Sequence, residues 1–86
     1  MPEISRFLGI IIRMHFNDHA PPHFHAEYAG EDVVIEIATL SMTRGRLPRR
    51  VHALVVEWAL LHREALTADW ERARRGLPLE RIEPLD

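Results

Sequence analysis

The fold of this chain is decided by residues 9–28, which read GIIIRMHFNDHAPPHFHAEY. Residues 9–16 alternate as a half-buried strand does, with an apolar face made by Ile10, Ile12, Met14 and Phe16. Residues 17–22 contain Asn-Asp and Pro-Pro pairs, which favour turns, so they predict a loop. Residues 23–28 alternate again, with Phe24, Ala26 and Tyr28 on one face. The stretch therefore predicts two strands joined by a loop.

Two further strands are predicted after this pair. Residues 29–31 have the composition of a hairpin turn. Residues 33–37 alternate, with Val33, Ile35 and Ile37 facing one way. A short fourth strand is predicted over 41–44. These segments predict a small antiparallel sheet that buries one face.

After Pro48 the apolar residues recur with the period of a helix, at Val51, Leu54, Val55, Trp58, Leu61, Ala65, Leu66, Trp70 and Ala73. The pattern predicts a helix over 48–75 that ends before Gly76, with both tryptophans in the core. The solvated face is expected to carry Glu57, Arg63, Glu64, Asp69, Glu71 and Arg72. At 1.5 Å per residue such a helix is about 42 Å long, so it overhangs the sheet or breaks, with Thr67 as the expected break.

The predicted fold is α+β in a single domain, 1–86, with a three- or four-stranded antiparallel sheet packed on a long or broken C-terminal helix. The tail over 77–85 is expected to pack on this domain as an extended segment. The sheet face turned away from the helix then carries Arg13, His15, His23, His25, Glu27 and Glu36. Open sheet edges and an overhanging helix predict a homodimer or a complex with a partner.

Composition excludes several classes of protein. Cysteine is absent, so neither disulfides nor thiolate metal sites are available. The formal charge of −2 argues against a domain that is basic throughout and binds nucleic acid. No apolar run reaches the ~20 residues of a membrane span, and Met1-Pro2-Glu3 does not open a signal peptide. A cytoplasmic protein without membrane contact is expected.

Four of the six histidines lie within residues 15–25. On a strand, His23 and His25 project from one face, where two imidazoles can share a metal ion. The candidate ligands for a divalent metal are His15, Asp18, His19, His23 and His25. Such a set suits zinc, manganese, iron or nickel.

The same cluster has two other interpretations. In the first, His23 and His25 act as acid and base without a metal, and Arg13 holds an anion such as a phosphate. In the second, the histidines only build the turn and satisfy backbone carbonyls. The sequence leaves all three interpretations open.

Arginine supplies all eleven cationic side chains. Arg44, Arg46, Arg49 and Arg50 precede the predicted helix, where side chains of this type bind phosphate, so they are the predicted contacts to nucleic acid. The alternative is a solvated loop. A second group consists of Arg72, Arg74 and Arg75.

Several segments resemble a small bacterial family called domain of unknown function 4160. The most specific is Asn17-Asp18-His19-Ala20-Pro21-Pro22-His23-Phe24-His25, and residues 2–14, 47–48, 56–59, 61–64 and 82–85 also match. The resemblance covers nearly the whole chain. It implies a small, free-standing cytoplasmic protein, often one half of a two-gene unit, as in a toxin–antitoxin-like pair. It implies no activity and no catalytic residue.

Three functions follow as hypotheses. The first is an interaction module of a toxin–antitoxin-like pair, because the chain is small, balanced in charge and without a complete catalytic motif. The second is a histidine-based phosphodiesterase or ribonuclease, with or without a metal. The third is a domain in which a bound metal serves only the structure.

Overall fold

The computed structural model describes residues 2–86 as a five-stranded antiparallel sheet packed against two helices. The elements are β1 (Glu3–Phe7), β2 (Ile10–Arg13), β3 (His23–Tyr28), β4 (Glu31–Glu36), β5 (Met42–Arg44), α1 (Arg49–Leu61) and α2 (Arg63–Arg74). Each strand pairs with its neighbour in the sequence, in the order β1-β2-β3-β4-β5. The predicted α+β class is confirmed. Within residues 2–86, neither helix combines the length and apolar character that crossing a bilayer requires.

The sheet has one strand more than the three or four predicted, because β1 adds an N-terminal edge. It turns into β2 through Leu8 and Gly9, both at positive φ, as a two-residue hairpin turn of this kind requires. β1 is short, and its register shifts between Glu3 and Ser5. Its buried residues therefore do not alternate cleanly, and the period-two pattern does not indicate it.

The four predicted strands correspond to β2, β3, β4 and β5. Their apolar faces are buried as expected at Ile10, Ile12, Met14, Phe24, Ala26, Val33, Ile35 and Ile37. Phe16 is an exception and is exposed. The strand ends at Arg13, and the chain turns at Phe16 and Asn17, which has a positive φ. The strand period therefore no longer holds at Phe16.

The helical region is interrupted at His62, so the predicted break at Thr67 is wrong. The Thr67 hydroxyl donates to the Arg63 carbonyl oxygen inside α2. A continuous helix from Arg49 to Arg74 would be about 39 Å long. The longest dimension of the described chain is 33 Å, so the interruption shortens the helical layer to fit the sheet.

Trp58 and Trp70 lie in the core, as predicted. The Trp58 ring packs against Phe7 and Phe24, with ring centroids 5.4 and 6.0 Å apart. Its Nε1 donates to the Glu83 carbonyl oxygen at 2.8 Å. The tail beyond α2 therefore packs on the domain, as predicted, and fixes the position of the core tryptophan.

Asp69 is buried, which corrects its predicted place on the solvated face of the helix. Its Oδ1 accepts hydrogen bonds from Arg72 Nη1 at 2.7 Å and from the Glu80 N–H at 2.9 Å. The second donor belongs to the tail, which the helical period does not describe. The carboxylate thus ties α2 to the returning chain.

Candidate metal centre

The histidines of residues 15–25 line a cleft of about 430 Å³. Its walls come from the loop between β2 and β3 and from strands β3, β4 and β5. The lining residues are His15, Asp18, His19, Pro21, His23, His25, Val34, Glu36, Thr43 and Arg44. Because the loop returns the chain to β3, side chains distant in sequence share this cavity.

Asp18 is the carboxylate at the centre of the cluster. Partial burial by itself would raise the pKa of Asp18. The hydrogen bond from the His19 backbone N–H and the hydrogen bond and charge of His23 outweigh burial and lower this pKa to about 2. Asp18 is therefore ionised at neutral pH and available as a ligand.

His23 holds the Asp18 carboxylate by a hydrogen bond. Its Nε2 donates to Asp18 Oδ2 at 2.8 Å, and its Nδ1 donates to the Pro21 carbonyl oxygen at 2.7 Å. Both bonds form together when each ring nitrogen carries a proton. The ring is buried against Trp70, with centroids 5.1 Å apart. The prediction that His23 lies on an open polar face of the sheet is therefore wrong.

His25 offers a free nitrogen to the cleft. Its Nδ1 lies 3.4 Å from Asp32 Oδ2, which fixes the ring. Its Nε2 is buried and has no hydrogen-bond partner, and it lies 3.6 Å from Asp18 Oδ2. A buried nitrogen without a partner is costly, so this atom calls for a proton donor or a metal ion.

The ring of His15 packs in a tilted arrangement on that of His25, with ring centroids 3.9 Å apart and an interplanar angle of 35°. Burial lowers the pKa of His15, and the neighbouring His25 lowers it further. His15 is therefore neutral at pH 7, which is the form that binds metals.

Three of the five predicted ligands meet in one place. One nitrogen of His15, one nitrogen of His25 and one oxygen of Asp18 all lie within 4.8 Å of one another. His23 stands behind Asp18. His19 lies at the rim with its side chain 83% exposed, and its Nδ1 is 3.0 Å from Asp18 Oδ1. The structure brings all five residues to the cleft but gathers three as a ligand set.

Arg13 is not brought to the cluster as an anion-binding group. It lies beside His25 in the sheet register, but its guanidinium pairs with Glu27. Arg44 lines the cleft in its place. Val34 pairs with both His25 and Arg44, so the three side chains share one face of the sheet.

Asp32 and Thr43 are site residues that the sequence analysis missed, whereas Glu36 lies with the histidines, as its predicted sheet face implies. The signal for Asp32 was present in the predicted hairpin turn, because that turn pairs Glu27 with Asp32 and brings the carboxylate near His25. Glu36 pairs with His23 across β3 and β4, whereas the place of Thr43 depends on how β5 pairs with β4. The register of that pair shifts between Val34 and Ile35, which no sequence pattern indicates.

Comparison with known proteins places the chain in a family without a described activity. A family model described as "Domain of unknown function (DUF4160)" matches residues 9–71. No curated protein and no solved structure matches. The matched region contains every residue that lines the cleft. As its sequence resemblance predicts, the chain belongs to the DUF4160 family.

Proposed function

We propose that this protein is a metal-dependent phosphodiesterase, with the metal held by His15, Asp18 and His25. The observation that carries this proposal is the ligand set itself, with three donor atoms within 4.8 Å and a buried His25 Nε2 that has no partner. Two imidazoles and one carboxylate suit zinc or manganese. Three protein ligands leave room for water and substrate, which is the arrangement of catalytic rather than closed structural sites.

The surroundings of the ligands support the proposal. Metal-binding histidines commonly donate their second N–H to a carboxylate, and Asp32 lies opposite His25 Nδ1 at 3.4 Å. Metal-binding carboxylates are commonly held by a further hydrogen bond, which His23 gives to Asp18. Both ligands are therefore oriented before a metal binds.

The cleft also holds a group that binds phosphate. Arg44 places a guanidinium among the lining residues, and guanidinium groups bind phosphate oxygens with two parallel hydrogen bonds. A bound metal lowers the pKa of its water toward neutrality. In hydrolysis the water oxygen forms the new P–O bond, the ester P–O bond breaks, and the leaving oxygen takes up a proton.

The test measures metal content and hydrolysis together, on protein purified without an affinity tag. We expect about one zinc or manganese per chain and hydrolysis of bis(p-nitrophenyl) phosphate. His25→Ala should lose both, since it removes a ligand. His19→Ala is the matched control for the metal, because His19 belongs to the same loop but not to the ligand set, and it should keep the metal.

Arg44→Gln separates binding of the metal from catalysis. It should keep the metal and lose roughly 10²-fold or more in turnover, as removal of a charge-stabilising group does. Metal without hydrolysis in the wild type would instead indicate a structural metal domain. Absence of both would overturn the proposal.

A second candidate is an interaction module of a toxin–antitoxin-like pair. Leu60 and Leu61 support it, since these adjacent side chains at the end of α1 are 58% and 69% exposed. We expect the small protein encoded beside this gene to co-purify with the wild type and to be lost from the Leu60→Glu/Leu61→Glu double variant. Equal recovery with both chains would contradict this role for the two leucines.

A further inference from the structure

Four exposed arginines follow one another from the end of β5 to the first turn of α1: Arg44, Arg46, Arg49 and Arg50, hereafter the arginine patch. All four are exposed, and Arg44 also lines the cleft. Across residues 2–86, no carboxylate lies within 4.0 Å of any of the four guanidinium groups. The patch is thus a concentration of uncompensated positive charge.

Most arginines elsewhere in the described chain are neutralised. Carboxylates pair with Arg6, Arg13, Arg72, Arg74 and Arg81. With a formal charge of −2, the chain as a whole does not attract anions. The positive charge of the arginine patch therefore comes from the placement of charges and not from composition, and such local fields steer anionic ligands.

The first turn of α1 adds to this field. Pro48 gives no side-chain cap to the helix, and the first turn carries no acidic residue. Its N–H groups therefore have no side-chain acceptor, and the positive end of the helix dipole lies beside Arg49 and Arg50. Helix start and arginine patch together favour a polyanion over a single anion.

We infer that the arginine patch binds the backbone of a single-stranded nucleic acid and leads one phosphodiester into the cleft. This inference rests on the proposed phosphodiesterase function. The cleft, at about 430 Å³, is at the lower end of the range for small-molecule pockets. The side chains of Asp18 and His25 are 19% and 12% exposed. A flexible single strand brings a phosphodiester to these half-buried groups more readily than a rigid duplex.

We assign a base-stacking role to Phe16. It follows His15 in the chain and is 43% exposed. Bases of single strands stack on aromatic side chains without regard to sequence. The site thus combines charges for the backbone with a ring for a base.

The experiment measures binding in the presence of a chelator, so that no strand is cut. Fluorescent oligouridylate, oligothymidylate and a polyglutamate peptide are titrated with the wild type and two triple variants. Arg46→Gln/Arg49→Gln/Arg50→Gln reduces the patch and leaves Arg44 in place. Arg6→Gln/Arg74→Gln/Arg75→Gln removes the same charge from exposed positions elsewhere. Circular dichroism confirms that both variants are folded.

We expect both oligonucleotides to bind the wild type, and the patch variant to bind roughly tenfold or more weakly near physiological salt. The slope of log K against log salt should fall by about 2 in the patch variant, at about 0.7 per lost phosphate contact. The control variant should keep both values. Preference for one oligonucleotide would identify the strand as RNA or DNA.

Three outcomes overturn the inference. They are no binding of either oligonucleotide by the folded wild type, equal losses in both variants, or tighter binding of polyglutamate, which would indicate an acidic protein partner. The proposed function fails separately, through absence of metal and hydrolysis. If the purified protein holds no metal and hydrolyses no phosphodiester but still binds the strand, the arginine patch is kept as a binding surface and the phosphodiesterase is rejected.

Discussion

Gly45 directly follows Arg44, the cleft residue at the end of β5, and so affects how this edge strand lies beside the cleft. Its φ is +79°, and a Cβ added there would lie 2.8 Å from the Asp32 carbonyl oxygen and 2.9 Å from Val33 Cγ1. A side chain at this position meets both strained backbone and occupied space. The path of β5 beside β4 therefore depends on glycine.

Gly45→Ala is expected to lower the free energy of unfolding by about 2–5 kcal/mol, as the sum of left-handed backbone strain and overpacking. Gly30→Ala is the matched control, since φ there is +84° and a Cβ would meet nothing within 4 Å. It should cost only the backbone strain, about 1–2 kcal/mol. Urea unfolding of both variants measures the difference. An equal loss in the free energy of unfolding would show that Asp32 and Val33 move away from the added methyl group without cost.

The site residues divide into those that sequence reveals and those that it does not. The clustering of His15, Asp18 and His25 was evident, because a loop between paired strands must bring them together. The sequence did not indicate which partners His23 and Arg13 contact. His23 turns to Asp18 because Trp70 from α2 covers it, and Arg13 turns to Glu27 on the adjacent strand. Both outcomes depend on contacts between elements, which periodicity within one element cannot predict.

At the scale of elements, long segments with a clean period were predictable. β3 has the predicted bounds. The predicted apolar stripe of α1 and α2 is buried or half-buried except at Leu61, which ends α1 and is 69% exposed. β1 escaped prediction because its bulge disrupts the alternation. A break is one of the two outcomes that the helix length predicts, but the helical period does not indicate its position at His62.

At the scale of the molecule, the antiparallel meander explains how a small chain assembles the proposed metal site. Strands that are neighbours in the sequence are also neighbours in the sheet, so a single loop between β2 and β3 separates His15 from His25. The ligands meet only when β2 and β3 are paired and the loop is closed. Binding of a metal at the proposed site would thereby be coupled to folding, since the unfolded chain lacks the assembled site.

This coupling predicts a metal-dependent melting temperature. At a free metal concentration of about 100 Kd, binding adds about 2.7 kcal/mol to the free energy of unfolding, which corresponds to a rise in Tm on the order of 10–20 °C for a domain of this size. Scanning calorimetry of the metal-free protein, with zinc or manganese added, measures the shift. His19→Ala should follow the wild type, because its side chain lies outside the ligand set. His25→Ala should show little or no shift, because it removes the nitrogen that has no other partner in the fold. A full shift in His25→Ala would mean that the metal binds elsewhere on the chain. Any catalysis in the cleft would then use its histidines as acid and base, without a metal.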